Sequence, residues 1–410
     1  MRATSLLRTL LALQDTVVTG SELTPEAVIV DVKPTWRIGR CSDCHRKAPT
    51  YDHRPRRWRH LDLGGIKCLL RYDRRRVKCR HCGIKVEAVP WAEAGSRFTR
   101  PFEMHTTYLA KGTDKTTVTK LMRISWVTVG KIIQRVVARQ RGDVDRLDGL
   151  VIIGVDELSY RRHHEYVTVV VDHARGIVVW AAEGKNAATL NQFFVDLGPE
   201  RCAKLEAVTI DMSAAYIKAV TEATPEAKII FDRFHIQRKA HDALDEVRRA
   251  EVNEAEPEDK KGLKKTRWAL QKNPWNLTDL EADKLTELQR TNKRIYRAYL
   301  LKEALAGVLD CRSIGIARVK LSEWLSWASR SRLAPFVKLA RTVRKYREGI
   351  LEYVRDRLNN GRVEGLNGKI RTITRRAYGF HSATSLISMI FLCCGGIDAY
   401  PAHISPFLTH

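Results

Sequence analysis

Two kinds of side chain in this sequence are spaced for metal chemistry. Cys41-Ser42-Asp43-Cys44 and Cys79-Arg80-His81-Cys82 form two Cys-x-x-Cys knuckles with 34 residues between them. Zinc takes four soft or borderline ligands in a tetrahedron, and a two-residue gap lets one tight turn supply two thiolates. The long gap predicts intervening strands that form a ribbon. Four protein ligands leave no open position, so such a zinc is structural. Reduced, metal-free cysteines or a redox pair are the alternative, and His45, His53 and His81 stand close enough to replace a cysteine. The other five cysteines (Cys68, Cys202, Cys311, Cys393 and Cys394) are scattered among apolar residues. No disulfide framework is expected, and a reducing, cytoplasmic location follows.

The second set is acidic. Asp156 follows the apolar run VIIGV and Asp211 follows AVTI, so each is expected where a buried strand emerges. Glu364 lies in a helical run, followed at spacings of three, four and four by Asn367, Arg371 and Arg375. All four then share one helix face. Two strand-end aspartates and a helical glutamate can converge on two divalent ions. Phosphodiester cleavage uses such a pair, one ion activating the attacking oxygen and the other stabilising the leaving oxygen. Oxygen ligands with open water positions suit magnesium or manganese. Arg371 and Arg375 would then face a DNA backbone. An Asp at a strand end also serves as a turn or cap residue, and a Glu early in a helix also answers the macrodipole. Asp172 and Asp232 end β-rich runs as well, so spacing alone leaves the choice of carboxylates open.

Charge points the same way. Lys and Arg number 72 against 47 Asp and Glu, a net of +25, which implies a polyanionic partner, nucleic acid being the commonest. Between Lys33 and Lys85, 17 Lys and Arg stand against four Asp, a local net of +13. Arg54, Arg56, Arg57, Arg59, Arg74, Arg75 and Arg76 are expected on a phosphate-contacting face made rigid by the zinc knuckles, with Trp58 and Tyr72 among them. A hydrophobic content of 44% with nine Trp excludes wholesale disorder. The N-terminal run MRATSLLRTLLALQ is interrupted by Arg8 and lacks a cleavage site, and the apolar run Leu386 to Cys394 is far short of a membrane span.

The elements that must position these groups fall into five segments of a multidomain α/β protein. Residues 1–95 hold a small hairpin over 16–33 and the zinc ribbon. Residues 96–145 carry a helix-turn-helix: Asp114 caps KTTVTKLM, and Trp126 to Gln140 forms the second helix. That helix is expected in the major groove, with Trp126, Thr128 and Lys131 near DNA. Residues 146–236 read as three strands, a helix, a strand, a helix and a strand, the first part of an RNase H-like core. Residues 237–357 have helical periodicity throughout and form an insertion. Residues 358–410 return to the core with the Glu364 helix and a tail. Many α/β folds begin with the same strand order.

The segments GVDELSYRRHHEYVTVVVD, VTIDMSAAYIKAV, IIFDRFHIQRKA and NNGRVEGLNGKIRTITRRAYGF resemble the hallmark blocks of DDE transposases of bacterial insertion sequences. The particular resemblance is to the family with a zinc ribbon and helix-turn-helix ahead of an RNase H-like catalytic domain, and it runs from Cys41 to Phe380. It implies Asp156 and Asp211 as the two catalytic aspartates and Glu364 as the glutamate, with magnesium or manganese, two ions per site. It further implies an enzyme that binds terminal inverted repeats, nicks DNA and joins the freed 3′-OH to target DNA, acting on double-stranded DNA as at least a dimer. The Asp232 to His235 block belongs to the same hallmark, with no role readable from its residues. Competing readings are an RNase H-like nuclease or resolvase, and a catalytically silent DNA-binding regulator. A zinc ribbon with a helix-turn-helix favours defined DNA ends over branched junctions, and three intact carboxylates argue against silence.

Overall fold

In the computed structural model the chain divides into two compact units, Met1–Val144 with Gly396–His410, and Asp145–Gly395. The description covers residues 3–161, 165–358, 361–377 and 379–401, without the side chains of 259, 261, 264 and 361–364. The described residues 396–401, which the sequence leaves with the second part of the core, cluster with the N-terminal unit. Local contacts explain this: Lys111 donates to the Ile397 carbonyl at 3.3 Å, and Tyr108 packs on Tyr400 with ring centroids 5.5 Å apart.

The N-terminal unit begins with α1 (Ala3–Leu11) and a hairpin of β1 (Thr16–Leu23) and β2 (Ala27–Pro34). β3 (Thr50–Leu63) and β4 (Ile66–Cys79) then form a long antiparallel hairpin, and β5 (Gly83–Val86) folds back on the end of β4. The β3–β4 turn is Gly64-Gly65, both at positive φ (58° and 84°), a conformation that side chains other than glycine rarely adopt. β2 runs parallel to β4 and closes the sheet in the order β1-β2-β4-β3. Its core gathers Val30, Trp58, Cys68, Leu70 and Trp91, with Trp58 and Trp91 edge to face at 5.5 Å.

Three helices follow, α2 (Arg100–Gly112), α3 (Lys115–Met122) and α4 (Trp126–Gly142). Asp114 accepts from Thr117 N at the start of α3, and Ser125 accepts from Thr128 N at the start of α4. Between them Arg123 takes the left-handed conformation (φ 54°, ψ 47°), which makes the turn tight enough for the helices to pack. Val118, Met122, Val129, Ile132, Ile133 and Val136 form their buried stripe. The arrangement is a helix-turn-helix.

The second unit is built on β6 (Ile152–Arg161), β7 (Glu165–Asp172), β8 (Ile177–Glu183), β9 (Ala207–Ile210) and β10 (Lys228–Phe231). β6, β7 and β8 are antiparallel neighbours, whereas β9 and β10 run parallel to β6 in the sheet order β10-β9-β6-β7-β8. Parallel strands need crossovers. α5 (Ala187–Leu197) and α6 (Pro199–Cys202) join β8 to β9, and α7 (Ala214–Ala223) joins β9 to β10. This is an RNase H-like core. β9 and most of β7 are buried throughout, as expected of apolar strands covered on both faces.

α8 (Arg233–Glu254) leaves β10 directly and opens an all-helical insertion that runs through α9 (Pro257–Lys264) to α15 (Arg347–Asp356). α15 returns to cover the edge strand β10. Gly349 permits the approach: a Cβ there would lie 2.5 Å from the Phe231 ring and 2.9 Å from the Ile229 carbonyl oxygen. α16 (Gly361–Arg376) then packs on β6, and α17 (Ala383–Cys394) on β8. Among the described residues, no helix is long and apolar enough to cross a membrane.

Candidate active site and metal centre

The strand register lines up the acids. β6 and β9 pair Ile153 with Val208 and Gly154 with Thr209, so two residues further on Asp156 is level with Asp211. β9 and β10 pair Ile210 with Phe231, so one residue further on Asp211 is level with Asp232. Three aspartates therefore form one row across adjacent parallel strands, where open α/β sheets bind their ligands. The expectation that the strand ends at Asp156 needs correcting, because β6 continues to Arg161 with Asp156 opposite Val169 of β7. What ends there is the partner on the other edge: β9 stops at Ile210, which opens β6 beside Asp156 while β7 keeps it extended.

Asp156 is held on both oxygens. Oδ1 accepts from the backbone N–H of Glu157 at 2.7 Å, and Oδ2 accepts from Nδ2 of Asn367 on α16. Burial, then the charges of Asp232 and Asp211, push its carboxyl above the usual range, against the backbone N–H of Glu157 and the charge of His235. Asp211 accepts from Ser213 N at 3.0 Å. Asp232 is buried and caps α8, accepting from Phe234 N at 3.1 Å. His235, in the first turn of that helix, brings Nε2 within 4.0 Å of Asp156 Oδ1 and 3.8 Å of Asp232 Oδ2. Arg233 is tied to Asp310 in the insertion. Glu157 points from β6 toward Tyr216, and burial with the Asp211 charge raises its carboxyl.

Glu364 lies in α16 one turn before Asn367, and its side chain is outside the described residues. Arg371 and Arg375 are exposed further along the helix, where with Leu158, Ser159, Ile370, Thr374 and Leu386 they line a cavity of about 160 Å³. Asp172 is a turn residue. It is buried, pairs with Arg175, accepts from Ala174 N at 2.8 Å and lies opposite Ile153, three positions along β6 from Asp156. The residues missed as site members are Asn367, His235 and Glu157. Asn367 had a signal in its spacing from Glu364, whereas His235 depends on α8 starting directly from β10. A crowded row of oxygen donors, with Asp156 raised by burial and then by the neighbouring acids, suits a hard divalent cation.

The thiolates converge at the end of the β3–β4 ribbon. The sulfurs of Cys41, Cys44, Cys79 and Cys82 all lie within 4.8 Å of one another, with Cys44 and Cys79 at 3.5 Å. Tetrahedral zinc at a Zn–S length near 2.3 Å sets its sulfurs roughly 3.8 Å apart, so the group fits structural zinc. No histidine joins it among the described residues. Backbone N–H groups of His81 and Cys82 hold the Cys79 thiol down, while the hydrogen bond from Cys44 and then burial push the Cys82 thiol up; a bound cation would favour the thiolate at all four.

Several of the expected phosphate-contacting arginines are committed within the protein. Arg75 pairs with the fully buried Glu87, which also accepts from Trp36 and Tyr72. Arg76 pairs with Asp52 and Arg59 with Asp62, while Arg56 donates to the Ser96 carbonyl. Trp58 is a core residue with Arg56 and Arg74 stacked over its ring. Arg54 and Arg57 stay exposed on β3, and Arg54 is directly opposite Arg74. Like charges facing across strands are destabilising, and an anion there would relieve the pair. In α4, Trp126 and Lys131 are exposed, Thr128 is drawn into the Ser125 cap, and the Lys115 ammonium sits 3.3 Å over the Trp126 ring.

Comparison with known proteins agrees with this division. Residues 37–82 match the zinc finger of the IS204/IS1001/IS1096/IS1165 transposases, residues 87–137 match the helix-turn-helix domain of transposase family ISL3, and residues 153–390 match the ISL3 DDE transposase domain. The chain is 40% identical over 395 residues to the transposase for insertion sequence element IS1557 of Mycobacterium tuberculosis, covering 90% of this chain and 89% of the relative. It is 30% identical over 356 residues to the transposase for IS1001 of Bordetella parapertussis, covering 85% and 87%. A catalytic-domain match over more than half the chain, with both DNA-binding modules in order ahead of it, places this protein in the ISL3 family of insertion-sequence transposases, enzymes of the DDE type.

Proposed function

We propose that Asp156, Asp211 and Glu364 are the DDE triad of this transposase and hold magnesium or manganese where β9 ends beside Asp156 of β6. The observation that carries the reading is the hydrogen bond from Asn367 to Asp156, which ties α16 to β6 one helical turn after Glu364. The level placement of Asp156 and Asp211 across β6 and β9 supports the other half of the triad. Divalent cations there would activate the oxygen that attacks a phosphodiester and stabilise the oxygen that leaves. The chain's own residues offer the oxygens, keep Asp156 in one orientation through Asn367, and present Arg371 and Arg375 to the DNA backbone along the same helix.

The substrates are the element's terminal inverted repeats and a target duplex. The repeat end is nicked by hydrolysis, and the freed 3′-OH displaces a strand of the target in a second phosphodiester exchange. α4 reads the repeat in the major groove with Trp126 and Lys131, Thr128 securing its first turn, while the exposed arginines of β3 hold phosphates. Because an element has two ends, the active form is at least a dimer on DNA. Nine free cysteines and a DNA substrate suit the bacterial cytoplasm. The test is nicking of a terminal-repeat duplex by purified protein: cleavage with magnesium or manganese and none with chelator supports the reading, and binding without cleavage under any divalent cation overturns it.

A further inference from the structure

Asn367 is only 5% exposed on α16, and the two ends of its amide are in unequal states. Nδ2 donates to Oδ2 of Asp156. Oδ1 is buried and has no hydrogen-bond partner among the described residues. Buried amide oxygens are normally paired, so an orphan of this kind calls for a reason. Apolar packing does not supply one, since Ile370 and Ile373 are the buried apolar residues of this helix. Among the described residues the other Asp156 oxygen accepts one hydrogen bond, from the Glu157 N–H, with His235 Nε2 further off at 4.0 Å, so each carboxylate oxygen keeps a lone pair for a cation. A hard divalent cation retains several of its waters, and those waters are donors in need of acceptors.

We propose that Asn367 is a positioning residue of the cation site: Nδ2 fixes the Asp156 carboxylate, and the orphaned Oδ1 accepts a hydrogen bond from the water shell of the divalent cation that Asp156 holds. The role rests on the assignment of Asp156 as a cation ligand. A neutral amide does this where a carboxylate would not, because it adds no negative charge to a row of acids that already crowd one another. Groups that orient a metal ligand and its waters typically account for about 10–100-fold in metal affinity.

The test is manganese binding to full-length, zinc-loaded protein, followed by the loss of the free-ion spin-resonance signal, for wild type, Asn367→Ala, Asn367→Asp and Asp156→Ala. Asn367→Ala should weaken manganese binding about 10–100-fold. It should raise the manganese concentration for half-maximal nicking by the same factor and recover most of the rate at saturation. Its terminal-repeat affinity should stay at the wild-type value. Asn367→Asp loses the donor and faces Asp156 with a second charge, so its melting temperature should rise more on adding manganese than that of wild type. Unchanged manganese affinity in Asn367→Ala, with Asp156→Ala losing the ion, overturns the role of Asn367 alone. Wild-type affinity in Asp156→Ala removes the ligand assignment beneath it. An Asn367→Asp variant no more stabilised by manganese than wild type also counts against the proposal.

Discussion

Asp156 and Asp211 stand side by side on neighbouring parallel strands, two residues beyond the Gly154–Thr209 pair that closes the β6–β9 ladder. With Asp232 next in the row, the folded protein holds three carboxyl groups together. Burial comes first and the neighbouring acids second in raising the Asp156 carboxyl above its usual range. A folded-state pKa above the unfolded one means that the ionised group costs stability at neutral pH, and that the cost fades as pH falls through the folded pKa toward the ordinary carboxylate value.

Asp156→Asn should therefore stabilise the metal-free protein at pH 7. The gain should show as a higher melting temperature. The gain should shrink toward pH 4, and added manganese should stabilise wild type but not the variant. A variant that melts lower than wild type at neutral pH would sink the crowding argument.

The arginine-rich ribbon should separate into two classes. Arg75→Ala strands the buried Glu87, and breaking such a pair costs about 3–5 kcal/mol, so the variant should melt well below wild type. Arg54→Ala and Arg57→Ala remove exposed charges and should leave stability within about 0.5 kcal/mol. They should weaken binding to all DNA sequences and reduce the salt dependence. Equal loss of binding and no loss of stability in all three would contradict this division.

The zinc assignment predicts about one tightly held zinc per chain, measured by elemental analysis. The Cys41→Ser/Cys79→Ser double variant should lose it. Since the thiolates must be unprotonated to bind, zinc should be released more readily as pH falls. Undiminished zinc in the double variant would remove the site.

Gly349→Ala puts a methyl group into the Phe231 ring and the Ile229 carbonyl. Overpacking of this kind costs about 1–3 kcal/mol, against the roughly 1 kcal/mol that alanine normally adds in a helix. The variant should melt no higher than wild type, and a clear rise in melting temperature would show that α15 does not cover β10 this closely.

Much of this architecture was legible in local sequence. The Cys-x-x-Cys spacing announced the zinc group because tight turns bring thiolates together without help from the rest of the fold. Asp114 and Ser125 announced the two capped helices for the same reason. The strand order of the core followed from β-branched runs separated by turns. Asp156 was misread as a strand end because periodicity cannot tell that one neighbouring strand stops while the other continues. Trp58, Arg75 and Arg76 read as surface residues in the sequence because their partners (Trp91, Glu87 and Asp52) come from other strands and loops of the sheet, whereas Asp62, the partner of Arg59, lies three residues along the same strand. His235 gained a place beside Asp156 only once α8 was seen to start at the end of β10.

The central claim is that Asp156, Asp211 and Glu364 cut DNA. The most direct measurement is nicking and strand transfer on a terminal-repeat duplex with saturating manganese, alongside binding to the same duplex. Asp156→Ala, Asp211→Ala and Glu364→Ala should each abolish both reactions, since removing one ligand disturbs ions that act as a pair. Binding should stay near wild type, because recognition belongs to the N-terminal unit. Asp172→Ala should retain cleavage, as its carboxylate serves a turn with Arg175. Asp232→Ala should lose about 1 kcal/mol with the α8 cap. Full cleavage in Asp211→Ala with loss in Asp172→Ala would show the wrong carboxylate was assigned, and full cleavage in all three main variants would contradict the account.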